Sequence, residues 1–270
     1  RMRGATKDAS DALVQHRQDG TTERASVAAG GAHANEYSYQ PSISADGHHV
    51  AFFGWASNLV AGDTNDSLDV FIRDRQLGLT EQVSVNSQET QGNDWSSTPA
   101  NSTLVISADG RYVAFASYAT NLVPGDTNSK LDVFVRDRQQ SLTERVSVSS
   151  AEVEGTYGGG GAAISADGRY VLFDSRSFNL VPGDTNGSDD IFVRDRHSGT
   201  TERISVDSSG VQGNDNSSTP SLSADGRFVA FGSFATNLVP GDTNRVEDVF
   251  VRDRQLGTTE RISVDSGGIQ

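Results

Sequence analysis

Cysteine is absent from all 270 residues. Disulfides, thiol nucleophiles, iron–sulfur clusters and thiolate zinc sites are therefore excluded. Long apolar runs are missing too: none approaches the roughly 18 residues of a membrane-spanning helix, so no membrane insertion is expected. The start, Arg1-Met2-Arg3-Gly4, lacks the apolar stretch of a signal peptide. Any export signal is expected to have been removed, unless the chain is a piece of a longer one. Aromatic residues make up 7% and hydrophobic residues 34%, which implies a lean core. Positive charge is the scarcer sign, with Lys and Arg at 22 against 36 Asp and Glu, a net charge of −14. Such a surface repels nucleic acid and anionic membranes and suits cations or cationic partners. The five histidines, 16, 33, 48, 49 and 197, never recur at equivalent positions. No nucleophile elbow, zinc-protease helix motif or phosphate loop occurs, so no catalytic residue is assigned.

What is present is a repeat. Ser44-Ala45-Asp46-Gly47 returns at Ser107, Ser165 and Ser223, with offsets of 63, 58 and 58. Gly62-Asp63-Thr64-Asn65 returns at Gly125, Gly183 and Gly241 with the same offsets. Two markers moving together define a true unit. The five extra residues of the first interval fall near Trp95 to Thr103. Each unit reads as four strands, as in Pro220–Ser223, Arg111–Phe115, Asp132–Asp137 and Thr143–Val148. Asp-Gly between the first two is a tight-turn signal. Strands two and three are apolar on both faces, as expected of strands covered by neighbouring sheets. No amphipathic helix is evident.

These features predict an all-β chain, a β-propeller of four-stranded antiparallel blades. Four blades are complete, at 28–85, 86–148, 149–206 and 207–270. Residues 1–27 form a partial N-terminal blade, since Asp11–Val14 and Thr22–Arg24 stand 58 residues before Asp69–Ile72 and Thr80–Gln82. About five blades are implied. Either the partial blade closes the ring as a half-blade, or further blades or a partner chain complete the open one.

The blade motif resembles the TolB-like, WD40-like propeller repeat family. Its signature of Pro-x-x-Ser-x-Asp-Gly, an apolar strand ending in Phe and another ending in Asp is met by Pro41, Ser44, Asp46, Gly47, Phe52 and Asp74, with later equivalents. The copy with Ala162-Ala163-Ile164-Ser165 lacks the Pro. Members of that family serve as interaction domains, peptidase gates and lyase scaffolds, so the resemblance implies fold more than activity.

The loop between strands two and three carries the most chemistry. Asp63, Asn65 and Asp69, and likewise Asp126, Asn128 and Asp132, Asp184, Asn186 and Asp190, and Asp242, Asn244 and Asp248, offer oxygens at i, i+2 and i+6. Calcium takes such clustered oxygens. The pattern is similar to a shortened integrin-type calcium loop without its carboxylate at i+4. The same residues also suit metal-free Asx-turns. The partial copy reads Gly4-Ala5-Thr6-Lys7, without the leading ligands. Arg-Asp-Arg ends strand three in each copy. Its Asp is expected to cap the hairpin and its Arg to pair with acids of a neighbouring blade. Thr-Glu-Arg on strand four reads as a solvated cross-strand charge pattern. Trp55, Tyr118, Arg176 and Phe234 are equivalent positions after strand two, able to stack on a ligand or to pack between blades. Trp95 is a further candidate contact.

The function expected is a non-enzymatic, extracellular or periplasmic propeller that binds a protein or glycan on one face and is stiffened by calcium. The alternative is a carbohydrate-active lyase or hydrolase with its site at a central channel.

Overall fold

The computed structural model describes residues 10–96 and 104–268. The described residues form strands, turns and bends, with no helix. Two compact units are present, one of residues 1–129 and 134–144, the other of residues 130–133 and 145–270.

The partial blade is a two-stranded sheet of β1 (Leu13–Gln15) and β2 (Thr22–Arg24). Blade one holds β3 (Ser38–Ile43), β4 (His49–Gly54), β5 (Asp69–Asp74) and β6 (Leu79–Gln82). Blade two holds β7 (Leu104–Ile106), β8 (Tyr112–Ser117), β9 (Asp132–Asp137) and β10 (Leu142–Arg145). Blade three holds β11 (Gly160–Ile164), β12 (Tyr170–Ser175), β13 (Asp190–Asp195) and β14 (Thr200–Arg203). Blade four holds β15 (Ser217–Leu222), β16 (Phe228–Ser233), β17 (Asp248–Asp253) and β18 (Thr258–Arg261). In each full blade the sheet order follows the chain order, giving the four-stranded meander of a propeller blade. Strand four is shorter than its sequence pattern suggests. It ends at Gln82 in blade one and at the Arg in the others, and the next residues turn away to form isolated bridges such as Val148↔Glu154. The extended interval at 97–103 and the loop at Gly4–Lys7 lie outside the described residues.

Local chemistry accounts for the recurring turn. Ser44 Oγ donates to Asp46 Oδ1 at 2.5 Å, and the same oxygen accepts the His48 amide at 2.9 Å. Gly47 then takes a φ of 72°, which only glycine adopts without strain. The turn is rebuilt at Asp109, Asp167 and Asp225.

A bulge in strand one explains why Pro can be dispensed with. Pairing shifts between Tyr39 and Ser42, where Gln40 has a φ of 48° ahead of Pro41. It shifts likewise around Thr219 and Pro220. In blade three Gly161 supplies the positive φ, and Ala162 follows it in place of Pro. Proline fits a bulge because no ladder amide is needed there.

Cores form where blades face each other within a unit. In the first unit Phe53, Val70, Ile72, Leu104, Val113, Phe115 and Phe134 are buried together. In the second, Leu172, Ile191, Val193, Val229, Phe231 and Phe250 do the same. Directly paired phenylalanines stack across strands two and three, with centroids 5.7 Å apart for Phe173–Phe192 and 5.8 Å for Phe231–Phe250.

Candidate functional site: an aromatic edge and a set of acid loops

The position after strand two becomes an aromatic edge in the first unit. Trp55 leaves the end of β4 with its amide on Tyr37 O at 3.0 Å. It is half-buried against the blade core. Trp95 meets it edge-on, with centroids 5.5 Å apart at 77°. Trp95 itself is 48% exposed and Tyr37 46% exposed. The Tyr118 amide bonds Trp95 O at 2.8 Å. An anchored indole supporting an exposed one makes a rigid apolar platform with polar handles. Sequence reasoning singled out both tryptophans but not their contact, and it missed Tyr37.

In the second unit the equivalent positions differ. Arg176 Nε donates to Gly187 O at 2.7 Å, folding back on its own loop. Phe234 is exposed. Tyr157 and Phe178 form another exposed edge-on pair with centroids 6.3 Å apart. Phe178 was legible as a break in the repeat, because Ser57, Thr120 and Thr236 hold that place elsewhere.

In the loops between strands two and three, the strand-three Asp is buried in every full blade. Its Oδ1 accepts from a serine on the segment after strand four, Ser84 Oγ for Asp69 at 2.6 Å and Ser263 Oγ for Asp248 at 2.5 Å. The loop Asn makes an Asx-turn. Asn65 Oδ1 accepts the Ser67 amide, Asn186 Oδ1 that of Ser188 and Asn244 Oδ1 that of Val246. Asn65 and Asn186 also donate to Gly92 O and Gly213 O, both at 2.9 Å. Asn128 occupies the same place in the β8–β9 loop, where Asp126 is half-buried.

What meets the acids is an arginine. Arg203 at the end of β14 places Nη1 3.4 Å from Asp184 Oδ1, 3.3 Å from Asp190 Oδ2 and 2.7 Å from Gln212 Oε1. Arg261 lies 3.5 Å from Asp242 and 3.3 Å from Asp248. Arg145 lies 3.4 Å from Asp132 and 2.6 Å from Glu154. In the partial blade Arg24 lies 3.2 Å from Asp11. In the last three blades a guanidinium thus stands where a cation was expected, and the Thr-Glu-Arg pattern is corrected there: Arg145, Arg203 and Arg261 are largely buried against acids, not solvated. Sequence missed this because periodicity assigns a side chain to a face but does not show what occupies that face.

Blade one departs. Gln82 pairs in register with Phe71, as Arg203 does with Phe192, but it carries no charge. Burial, with Asp63 adding like charge, pushes the Asp69 carboxyl up to about 6. Burial raises Asp63 as well.

The chain superposes on TolB from Acinetobacter baumannii with a TM-score of 0.50 at 17% identity, over 91% of this chain and 47% of that one. Against a putative TolB from Agrobacterium tumefaciens the TM-score is 0.53 at 16% identity, over 91% and 70%. Against an oligogalacturonate lyase from Vibrio parahaemolyticus it is 0.51 at 13% identity, over 96% and 63%. The fold is a TolB-like β-propeller. At these identities the likeness is one of fold, and the chain spans less than half of the first of these proteins. No family model and no curated protein matches the sequence.

In this TolB-like propeller the Arg-Asp-Arg segment is structural. Asp74 Oδ1 accepts the Gln76 and Leu77 amides and closes the hairpin. The second Arg reaches the strand-four Glu of the preceding blade, Arg138 to Glu81 and Arg254 to Glu202. The first Arg reaches the preceding linker, Arg136 to Glu89 and Arg194 to Glu152. The strand-four Thr also spans the interface: Thr143 Oγ1 donates to Val85 O at 2.5 Å, and Thr201 and Thr259 to Val148 O and Val206 O at 2.6 Å. Arg111, Arg169 and Arg227 clamp Asp137, Asp195 and Asp253 through two nitrogens each. These hydrogen bonds hold the Asp137 and Asp195 carboxyls well below the usual range.

Proposed function

We propose that this chain is a non-enzymatic binding or scaffold propeller that engages a glycan through the Trp55–Trp95 edge. The carrying observation is that edge-on pair, with one indole anchored in the core and the other 48% exposed. A sugar ring presents a flat apolar face that such a platform stacks against, while neighbouring polar groups orient it. The recurring Asp and Arg of the blades support the same reading, because they are committed to hairpin caps and blade-to-blade pairs. An exported setting, periplasmic or extracellular, belongs to this reading and rests on the acidic, cysteine-free composition.

The test is tryptophan fluorescence during titration with a panel of neutral and acidic oligosaccharides, for the parent chain and Trp95→Ala. Saturable change in the parent and its loss in Trp95→Ala is the expected result. A panel without any response, paired with capture of a protein partner that Trp95→Ala abolishes, would move the edge to protein recognition.

A second reading, a carbohydrate-active enzyme, has Asp174 in its favour. This acid replaces Phe53, Ala116 and Gly232 of the other blades, and burial pushes it up to about 6. Turnover of oligogalacturonides, followed by ultraviolet absorbance of unsaturated product and lost in Asp174→Ala, would favour it.

A further inference from the structure

The one full blade without a strand-four arginine keeps the two loop acids, Asp63 and Asp69, whose counterparts the arginine meets in the last blades. In blade three a single guanidinium nitrogen bridges Asp184, Asp190 and Gln212. Blade one repeats those three groups as Asp63, Asp69 and Gln91, but Gln82 stands where Arg203 would. Gln82 turns its amide nitrogen to Ser84 Oγ at 3.4 Å and toward the Asp69 carboxylate, so turning the amide over would present its oxygen to an ion. Gln91 Oε1 accepts only the Thr64 amide, at 3.2 Å, as its counterpart Gln212 does alongside the guanidinium. Asp69 is fully buried; Ser84 Oγ bonds its Oδ1, and its Oδ2 has no partner in good hydrogen-bond geometry, with only the side-chain amides of Asn65 and Gln82 approaching the carboxylate. The corresponding oxygens of Asp190 and Asp248 receive the arginine. Among the described residues no cationic side chain pairs with Asp63 or Asp69. A buried carboxylate oxygen without a partner is costly and points to something missing.

We infer that Asp63, Asp69, Gln82 and Gln91 form a single divalent-cation site, of calcium type, in the place that arginine fills in the sister blades. The donors are all hard oxygens, with two carboxylates for charge balance and two amide oxygens, and water completes the six to eight that calcium takes. Asp63 and Gln82 are only half-buried, so an ion can enter from solvent. A chain with four such loops would thus carry one metal and three internal guanidinium substitutes. The count separates this proposal from calcium binding at every loop.

The experiment is calorimetric titration of the chelator-stripped chain with calcium chloride, alongside thermal unfolding in chelator and in calcium. One site per chain is expected, with a dissociation constant of about 10⁻⁴–10⁻³ M, the range of weak extracellular sites. At about 10 mM calcium the melting temperature should rise by several degrees through mass action. Gln82→Arg should abolish both responses and raise the melting temperature in chelator. Asp63→Asn should weaken calcium at least tenfold, and it carries the test if Gln82→Arg fails to fold. Asp184→Asn should leave the calcium response intact. The proposal is overturned by a parent chain indifferent to calcium, or by a response that survives Asp63→Asn. It is equally overturned if chelator-state stability falls as pH rises through about 6 and calcium restores nothing, because the acids would then hold a proton only.

Discussion

Replacing Arg203 by the residue that blade one carries, Arg203→Gln, isolates what the internal guanidinium contributes. Its side chain is 10% exposed, and its partner Asp190 is fully buried. Removing one member of a buried ion pair costs about 3–5 kcal/mol, because the other charge is left uncompensated. The lower end applies here. Asp190 retains hydrogen bonds from Ser205 Oγ and Asn186 Nδ2, and it can relieve the strain by taking a proton. About 3 kcal/mol at pH 7.5 corresponds to roughly 6–12 °C in melting temperature for a chain of this size. Burial already raises the Asp190 carboxyl while Arg203 lowers it. Without Arg203 its folded-state pKa rises further above the ordinary value. A raised carboxyl favours the protonated folded state, so the loss should shrink as pH falls toward 5. Chemical denaturation at pH 7.5 and pH 5, with Arg203→Gln/Asp190→Asn recovering most of the loss, checks the chain of reasoning. A loss below about 1 kcal/mol at pH 7.5, or one equal at both pH values, would refute it.

Asp174→Ala restores the residue that Ala116 supplies in blade two. The buried carboxyl sits at about 6, against an ordinary 3.8, so the parent chain loses stability as pH rises from about 4 through 6. The variant's advantage in denaturant midpoint should therefore grow across that window and level off above it. Thr201→Val keeps shape but strips Val148 O and Arg194 Nη1 of a buried partner. A cost of about 1–3 kcal/mol in equilibrium unfolding is expected.

The repeat, the strand count, the Asp-Gly turns and the hairpin-capping Asp were legible in the sequence, because each depends on contacts within a few residues. Pro41 and its absence in blade three became intelligible only with the bulge, where Gly161 supplies the positive φ that Gln40 and Thr219 adopt. Trp55 and Trp95 were readable as single candidates. Their edge-on contact was not, since 40 residues separate them and their meeting depends on how one blade's linker crosses the next. The loop acids were readable as a cluster of oxygens, but their charge partner lies on another strand, 13 residues beyond the strand-three Asp in blade three. Comparing columns of the repeat would have flagged it: the Arg of strand four is Arg24, Arg145, Arg203 and Arg261, with Gln82 the exception.

The threonine contacts have a bearing on how such chains lengthen. In the last three blades the fourth strand offers its threonine hydroxyl and amide to the segment that follows the previous blade's fourth strand, which supplies a carbonyl and a serine hydroxyl, as in Thr201 with Val148 and Ser150, or Thr259 with Val206 and Ser208. One copy of the unit therefore encodes both halves of its own joint. A tandem duplication of the coding segment would deliver a blade already complementary to its neighbours on either side. Blade number could then change by unequal recombination without a new interface having to evolve.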